Sequence, residues 1–352
     1  MVIKFHTVNL KKKYPLHISR GINDKSQNLF IEIKKDGITA WGESAPGKTE
    51  GASSAKEVKD HLIRLINSDI NTLSIYEVHQ RCKDLNIPPC AQAAIDVALW
   101  DLKAKEAKMS LKDLLGLPSP QVPSSITVGI NPPEIIKERV EIILSNPQVK
   151  ALKIKLGSPK GIEYDQLIYS QVIESAGKSN VAIRVDANGG WSLDEAQFMM
   201  KWLSQRKAEY IEQPLIEGDE DKLKFLFKGR PLPIFIDESC RAAEDVANFH
   251  HNVDGINLKL MKCGGITEAI KILNVAKSHS LKTMIGCMSE SSISISAGAS
   301  ISGIIDYVDL DSHYNLDPDP SEGSEMVNGI TMTNSKYGHG ANLKKEYYDK
   351  ID

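Results

Sequence analysis

The sequence predicts an α/β protein, a (β/α)8-type barrel under an α+β capping domain that the N-terminal region and the C-terminal segment form together. Beyond Pro123, short β-rich runs alternate with amphipathic helical stretches, and eight strand candidates occur before residue 316. Residues before Pro123 lack this alternation. Strands that alternate with helices are typical of a parallel sheet, and eight such steps close a barrel. The predicted units are capping domain 1–122, catalytic barrel 123–316 and C-terminal segment 317–352.

The N-terminal region contains strand patterns followed by helix patterns. Strands are predicted at residues 2–10, 28–34 and 38–42, and Asp36-Gly37 is a hairpin signal between the last two. Helices are predicted at residues 55–68 and 90–108, before a break with three prolines. The run Lys11-Lys12-Lys13 is expected to be a solvated turn between two strands.

The barrel strands are predicted at residues 126–130, 151–156, 182–186, 210–212, 234–237, 255–259, 282–285 and 305–310. Helical segments lie between them, among them residues 133–145, 192–205, 266–278 and 292–302. One barrel helix is expected to be missing or remodelled. The alternation stops near Asp317, so the last segment is expected to return to the capping domain.

Composition excludes several classes of protein. The 352 residues carry 43 basic and 46 acidic side chains, and a net charge of −3 gives no reason to expect a nucleic acid partner. The five cysteines are scattered without a C-x-x-C pair, which argues against a thiolate metal site and indicates a reducing compartment. No signal peptide and no run of about 18 apolar residues is evident, so we expect a cytoplasmic protein without a membrane partner. A homo-oligomer is compatible with the sequence, because barrel enzymes often form symmetric assemblies.

Ionisable residues end successive strand candidates. The first five, at intervals of 31, 26, 25 and 22 residues, are Lys155, Asp186, Glu212, Asp237 and Lys259. One charge at a strand end is usually a helix cap or a solvated loop. Five charges in phase indicate a site at the C-terminal mouth of the barrel, where active sites of this fold lie.

Asp186, Glu212 and Asp237 end three consecutive strands and form a cluster with oxygen ligands only. Three converging carboxylates repel one another unless they are protonated or neutralised by a cation. Oxygen ligands without His or Cys select Mg²⁺, for which Mn²⁺ can substitute. We therefore predict one Mg²⁺ per subunit.

Lysines flank this cluster in strand order. Lys153 and Lys155 alternate onto the same face of one strand, pointing into the barrel, and Lys259 lies on the other side of the cluster. A nearby cation is expected to lower the pKa of such a lysine toward about 7–8, the range of a general base. Lys262 lies beyond its strand end and is expected to be solvated.

At these residues the chain resembles the enolase superfamily, specifically its muconate-lactonizing-enzyme-like subgroup. The motifs appear in the order of that subgroup: Lys153-x-Lys155, Val185-Asp186-Ala187-Asn188, Ile211-Glu212-Gln213-Pro214, Ile236-Asp237-Glu238-Ser239 and Lys259. Residues 41–46 and 93–102 resemble its capping domain, so the resemblance covers nearly the whole chain. The chain departs from the family at Tyr337-Gly338-His339-Gly340, where members often have a Pro-Gly-Leu-Gly-like turn, although both glycines remain.

Asp309-Leu310-Asp311 at the end of the eighth strand resembles the D-x-D of dipeptide epimerases. The resemblance implies Mg²⁺-dependent epimerisation of L-Ala-D/L-Xaa dipeptides by 1,1-proton transfer through an enediolate, with the acidic pair holding the α-ammonium group. Lys155 and Lys259 would be the acid and base, for the (S)- and (R)-proton respectively. Lys153 would stabilise the substrate carboxylate as it becomes the enediolate.

The resemblance also implies supporting residues. Asn188, Glu238 and Glu290 are expected to contact the metal ligands or their neighbours, and Met288 to line the pocket. Arg20 and Lys25 lie near the predicted capping loops 16–27 and 48–54 and either receive an acidic side chain, as peptidoglycan peptides would supply, or are surface charges. Glu50 argues against an exclusively acidic substrate, so the preferred side chain stays open.

Two other functions fit part of the pattern. An o-succinylbenzoate synthase, N-acylamino acid racemase or cycloisomerase of the same subgroup would act on acids without a free ammonium group. A metal-binding scaffold without catalysis would not need lysines on both sides of the cation. An essential Asp309/Asp311 pair would separate the dipeptide epimerase from the first group.

Overall fold

The computed structural model describes residues 1–348. It begins with an antiparallel sheet of three strands, β1 (Val2–Ile18), β2 (Gly21–Lys35) and β3 (Ile38–Ser44). The β1–β2 hairpin is longer than predicted, and Lys11-Lys12-Lys13 lie inside β1. The expected solvated turn is therefore wrong. Three consecutive lysines hide the alternation by which His6, Val8, Leu10 and Lys12 are buried and the residues between them are exposed.

The helices of the capping domain pack on one face of this sheet. They are α1 (Ala55–Ile66), α2 (Ile75–Asp84), α3 (Pro89–Glu106) and the short α4 (Leu111–Leu114). The Ser54 side chain caps α1 by accepting a hydrogen bond from Glu57 N. Helix α3 lies directly on β3, since a Cβ on Gly42 would meet Ala94 O at 2.0 Å. Its residues are buried on almost all sides.

Eight parallel strands form the barrel, each hydrogen-bonded to the next in chain order. They are β4 (Ser125–Val128), β5 (Ala151–Lys155), β6 (Ala182–Asp186), β7 (Ala208–Glu212), β8 (Ile234–Ile236), β9 (Gly255–Leu258), β10 (Lys282–Ile285) and β11 (Tyr307–Val308). A parallel bridge between Ser124 and Val308 joins the first and last strands. The predicted barrel is confirmed.

The barrel helices follow the strands in turn. They are α5 (Pro133–Leu144), α6 (Ile162–Ala176), α7 (Leu193–Ser204), α8 (Leu223–Phe227), α9 (Ala243–Phe249), α10 (Leu260–Cys263), α11 (Ile266–Ser278) and α12 (Ser292–Ile301). Two of these helices, α10 and α11, follow β9. Strand β11 is followed by a 3-10 turn, Ser312–Asn315, in place of the α-helix that follows the eighth strand of a regular barrel. Among residues 1–348, no helix is long and apolar enough to span a membrane.

The C-terminal segment contains four short strands, β12 (Ser321–Glu322), β13 (Glu325–Val327), β14 (Ile330–Met332) and β15 (Asn342–Leu343). Ala341 and Leu343 share a hydrophobic cluster with Phe30 and Trp41 of the N-terminal sheet. Within the turn at residues 337–340, both glycines adopt positive φ, and buried His339 contacts Trp41 O at 2.9 Å. Residues 349–352 of the predicted segment lie outside the described residues.

Candidate active site

Three carboxylates meet at the C-terminal mouth of the barrel. Asp186 and Glu212 are the last residues of β6 and β7, and Asp237 directly follows β8. Each offers an oxygen within 4.8 Å of the others, and all three side chains are fully buried. Neighbouring parallel strands end at the same edge of the barrel, so charged residues at successive strand ends in the sequence lie close together in space.

The residues fit a hard divalent cation. The donor set is all oxygen, as Mg²⁺ and Mn²⁺ prefer. Burial and then the neighbouring Asp186 charge raise the pKa of Glu212 to about 8. A cation bound between the carboxylates would relieve this repulsion.

Lysines lie on both sides of this cluster. Lys155 Nζ, at the end of β5, donates to Asp186 at 2.6 Å, and Lys259 Nζ, just beyond β9, donates to Asp237 at 2.7 Å. In the barrel, β5 and β9 are separated by the three strands that carry the carboxylates. The two amines therefore face the cluster from opposite sides.

The protein's own charges favour protonated lysine at one of these positions. Burial lowers the pKa of Lys259, but the charges of Asp237, Glu238 and Glu212 together outweigh burial and raise it well above the usual range. Burial raises the pKa of Asp237, but Lys259 and Lys262 hold it well below its ordinary value. A pKa near 7–8 is therefore not a property of Lys259 in the protein alone.

Lys153 lies at the centre of the mouth. Its fully buried ammonium is 2.8 Å from Glu212, 3.4 Å from Asp186 and 2.7 Å from Asp309. Lys153 thus joins the three-carboxylate cluster to the D-x-D pair across the barrel.

Lys262 is buried, contrary to the expected solvated position. Its ammonium lies 2.5 Å from Asp237 Oδ1 and donates to the carbonyl oxygens of Asp237, Cys240 and Asn257. The sequence shows that Lys262 follows the strand, but α10 begins there and turns the side chain back under Asp237. It is a basic residue that the sequence reasoning missed.

Asn257 was also missed. Its amide donates to Glu212 Oε1 at 2.8 Å, and alternation with Lys259 along β9 is the signal that could have found it. Gly286 leaves space beside both side chains, since a Cβ there would lie 3.0 Å from Lys259 Cε.

The D-x-D pair lies at the end of β11. Asp309 Oδ2 accepts from Lys153, while its buried Oδ1 has no hydrogen-bond partner among the described residues. Asp311 Oδ2 accepts from the backbone N of Thr127 at 2.7 Å. Burial and then Asp309 raise the pKa of Asp311 to about 6. Both aspartates line the cavity at the barrel mouth.

The remaining predicted site residues occupy different positions. Asn188 contacts Asp186 through its backbone N at 2.8 Å, and its amide lies 3.4 Å from Glu238 Oε1. Glu290 accepts a hydrogen bond from Met288 N at 2.7 Å, and burial raises its pKa to about 8. Met288 lines the cavity.

Arg20 and Lys25 differ in their relation to the cavity. Arg20, at the tip of the β1–β2 hairpin, lines it, but its guanidinium is 2.5 Å from Glu238. Lys25 is exposed in β2 and is not among the cavity residues. Neither residue presents an unpaired cation to the site.

The cavity has a volume of about 660 Å³ and extends outward between the capping hairpin and α5. Its inner end contains Lys155, Lys259 and the D-x-D pair. The apolar side chains of its outer wall include Ile126, Ile142, Ile143, Val149 and Met326. Arg139 of α5, Lys12 and Lys13 also line the cavity.

A capped β/α barrel with a divalent-cation site between lysines defines a class of metal-dependent barrel enzymes. Residues 136–347 match the family model described as enolase C-terminal domain-like. Residues 2–116 match the N-terminal domain of mandelate racemase and muconate lactonizing enzyme. The chain belongs to this enolase superfamily, which confirms the resemblance of its motifs.

Two similar proteins cover almost the whole chain. A hydrophobic dipeptide epimerase of Flavobacteria bacterium (strain MS024-2A) is 55% identical over 348 residues, which is 99% of this chain and 100% of that protein. A hydrophobic dipeptide epimerase of Roseobacter litoralis is 54% identical over 97% of this chain and 99% of its own.

Solved structures agree with these relatives. A dipeptide epimerase from Enterococcus faecalis V583, complexed with Mg and L-Leu-L-Tyr, is 29% identical with a TM-score of 0.90, covering 96% of this chain and 98% of that one. A dipeptide epimerase from Cytophaga hutchinsonii, complexed with Mg and D-Ala-L-Val, is 27% identical with a TM-score of 0.91, covering 98% and 96%.

Proposed function

We propose that the protein is a Mg²⁺-dependent epimerase of hydrophobic dipeptides that inverts the α-carbon next to the C-terminal carboxylate. The observation that carries the proposal is the position of Lys155 and Lys259 on opposite sides of three buried carboxylates. The relatives named hydrophobic dipeptide epimerase support the substrate class.

Asp186, Glu212 and Asp237 would hold one Mg²⁺ per subunit. The bound cation would polarise the substrate carboxylate and stabilise negative charge as the carboxylate becomes an enediolate. Lys153 would add a second positive charge beside that carboxylate, since its ammonium is already held between Glu212 and Asp309.

Lys155 and Lys259 would exchange the α-proton. One neutral amine removes it from one face of the substrate, and the other, as an ammonium, returns a proton to the opposite face. The ion pair with Asp237 keeps Lys259 protonated, so its action as a base requires the cation to withdraw charge from Asp237. Inversion follows from the opposed amines, and the same pair works in the reverse direction.

Asp309 and Asp311 would bind the α-ammonium group. The unpartnered Oδ1 of Asp309 supports this role, because a buried acceptor without a donor is unfavourable until a ligand supplies one. Substrates of the N-acylamino acid racemase or o-succinylbenzoate synthase type have no ammonium group to offer. The D-x-D pair therefore favours dipeptides over those alternatives.

The cavity supports a hydrophobic side-chain preference. Its outer wall is apolar at Ile126, Ile142 and Ile143, and Arg20 is engaged by Glu238. Neither Arg20 nor Lys25 offers a free cation to a glutamate side chain. Lys12, Lys13 and Arg139 also line the cavity, so the hydrophobic preference rests on the apolar wall and on the relatives named hydrophobic dipeptide epimerase. Cytoplasmic location, a homo-oligomer and a role in peptidoglycan peptide metabolism stay predictions from the sequence.

The test is isotope exchange in D₂O with Mg²⁺ and L-Ala-L-Phe, followed by ¹H NMR of the α-protons. Wild-type protein should exchange the α-proton of the C-terminal residue and form the L,D diastereomer. The Lys259→Ala variant should lose epimerisation yet exchange the diastereomer that Lys155 serves. The exposed Lys201→Ala is the matched control. Full epimerisation by Lys259→Ala would refute the two-base scheme.

A further inference from the structure

Lys12 is a buried lysine whose ammonium has no partner among residues 1–348. Its exposed fraction is 8%, whereas its neighbours Lys11 and Lys13 are exposed. Among the described residues, no hydrogen bond or ion pair reaches its ammonium, while Lys13 Nζ donates to Tyr314 O at 3.3 Å. Lysine is rarely buried unless it is paired, so an unpaired ammonium here calls for a ligand.

The backbone holds Lys12 at the cavity. Lys11 O accepts from Asp317 N at 2.8 Å, and Tyr14 N donates to Asn315 Oδ1 at 3.1 Å. The strand is thus fixed on both sides of Lys12, and Lys12 continues the inward-facing row of His6, Val8 and Leu10. Lys12 lines the same cavity as the catalytic lysines and the D-x-D pair.

The ammonium of Lys12 lies in the same cavity as Lys155 and Asp311. It interacts electrostatically with Asp311, Lys155 and Asp24. Burial lowers the pKa of Lys12 to about 8, because the attraction of the Asp311 carboxylate compensates only in part. The described residues therefore place a negative charge near Lys12 but bring no acceptor into contact with its ammonium.

We propose that Lys12 binds the substrate by donating a hydrogen bond to the peptide carbonyl oxygen of the dipeptide. This inference rests on the proposed function. A lysine ammonium can only donate hydrogen bonds. A dipeptide with apolar side chains has three oxygens, of which the two carboxylate oxygens belong to the cation and Lys153. The peptide carbonyl is the remaining acceptor.

The order of groups along the substrate matches the order in the cavity. The peptide bond of a dipeptide lies between its C-terminal α-carbon and its ammonium group. Lys12 correspondingly interacts with Lys155, which would face the α-carbon, and with Asp311, which would face the ammonium group. Fixing the peptide carbonyl holds the α-proton in line with the amines, so Lys12 should act on both binding and turnover.

The experiment compares Lys12→Met with Lys11→Met, an exposed neighbour that points away from the cavity. The substrates are L-Ala-L-Phe and its thioamide, in which sulfur, a weak acceptor, replaces the carbonyl oxygen. We expect Lys12→Met to lower kcat/KM for the amide by about 10- to 100-fold, the range of a hydrogen bond to a charged group. The same variant should change kcat/KM for the thioamide by less than about threefold, because the bond is already weak there. Lys11→Met should match wild type.

Three outcomes distinguish the possibilities. If wild-type protein epimerises L-Ala-L-Phe and Lys12→Met equals Lys11→Met, the inference is overturned while the proposed function stands. If Lys12→Met loses activity equally with the amide and the thioamide, Lys12 does not bind the carbonyl oxygen. The same conclusion holds if activity is lost only with L-Glu-L-Phe, because Lys12 would then pair with the acidic side chain. Thermal unfolding controls the fold, and the Lys12→Met variant should be no less stable than wild type, because it removes an unpaired buried charge.

Discussion

Replacement of Lys262 by Met should strongly destabilise the barrel mouth. Lys262 is 2% exposed, lies 2.5 Å from Asp237 Oδ1 and donates to Cys240 O and Asn257 O at 3.1 Å each. Removing one partner of a buried ion pair costs about 3–5 kcal/mol, because the other charge stays buried. Asp237 keeps Lys259 at 2.7 Å, so we expect the lower end, about 3 kcal/mol.

Urea denaturation with a chelator present measures this change without a contribution from bound metal. The exposed Lys201→Met serves as the control and should stay within about 0.5 kcal/mol of wild type. A Lys262→Met variant that also stays within that range would refute the buried ion pair and restore a solvated Lys262. A second readout is Mg²⁺ affinity by calorimetry, which should change as Asp237 loses one of its two lysines.

Three further predictions concern metal, substrate and pH. Chelation should abolish isotope exchange but leave the circular dichroism spectrum unchanged, because each metal-binding carboxylate already contacts a lysine. The Asp311→Asn variant should lower kcat/KM for L-Ala-L-Phe by about tenfold or more, with unchanged inhibition by N-acetyl-L-phenylalanine, which has no ammonium group. Burial raises the pKa of Glu268, but the hydrogen bond from His79, at 3.0 Å, and other contacts outweigh burial and lower it from 4.5 to about 2. The decrease in the free energy of unfolding caused by Glu268→Gln should therefore be largest above pH 4.5 and disappear as pH falls toward 2. An equal decrease at pH 7 and pH 3 would contradict this.

The barrel and the carboxylate cluster could both be predicted from one feature of the sequence, the regular recurrence of apolar strand segments that end in a charged residue. A strand end is visible in the sequence where apolar residues give way to a charge, and parallel strands bring these ends together. Asp186, Glu212 and Asp237 each occupy such an end. No knowledge of side-chain contacts is needed for that step.

Lys12 and Lys262 could not be placed, since their burial depends on partners remote in sequence. Lys12 is covered because β1 continues beyond residue 10 and bridges Leu316 of the C-terminal segment. Lys262 is covered because α10 begins immediately after Lys259 and returns the side chain toward β8. In both cases the local pattern of charged residues predicts solvent, and tertiary structure overrides it.

The arrangement of charges explains why the cation is required for activity but not for folding. Each inner acid has a lysine within 2.8 Å, in the pairs Asp186–Lys155, Glu212–Lys153, Asp237–Lys259 and Asp309–Lys153. With Lys262 beside Asp237, four lysines face four acids. Because the pKa of Glu212 is raised to about 8, the inner group carries no excess negative charge at neutral pH without a metal. A bound dication would add positive charge where an enediolate would carry two negative charges, and that excess would stabilise the intermediate. The protein alone positions the reacting side chains and pairs their charges. The cation would supply the additional positive charge that proton transfer requires.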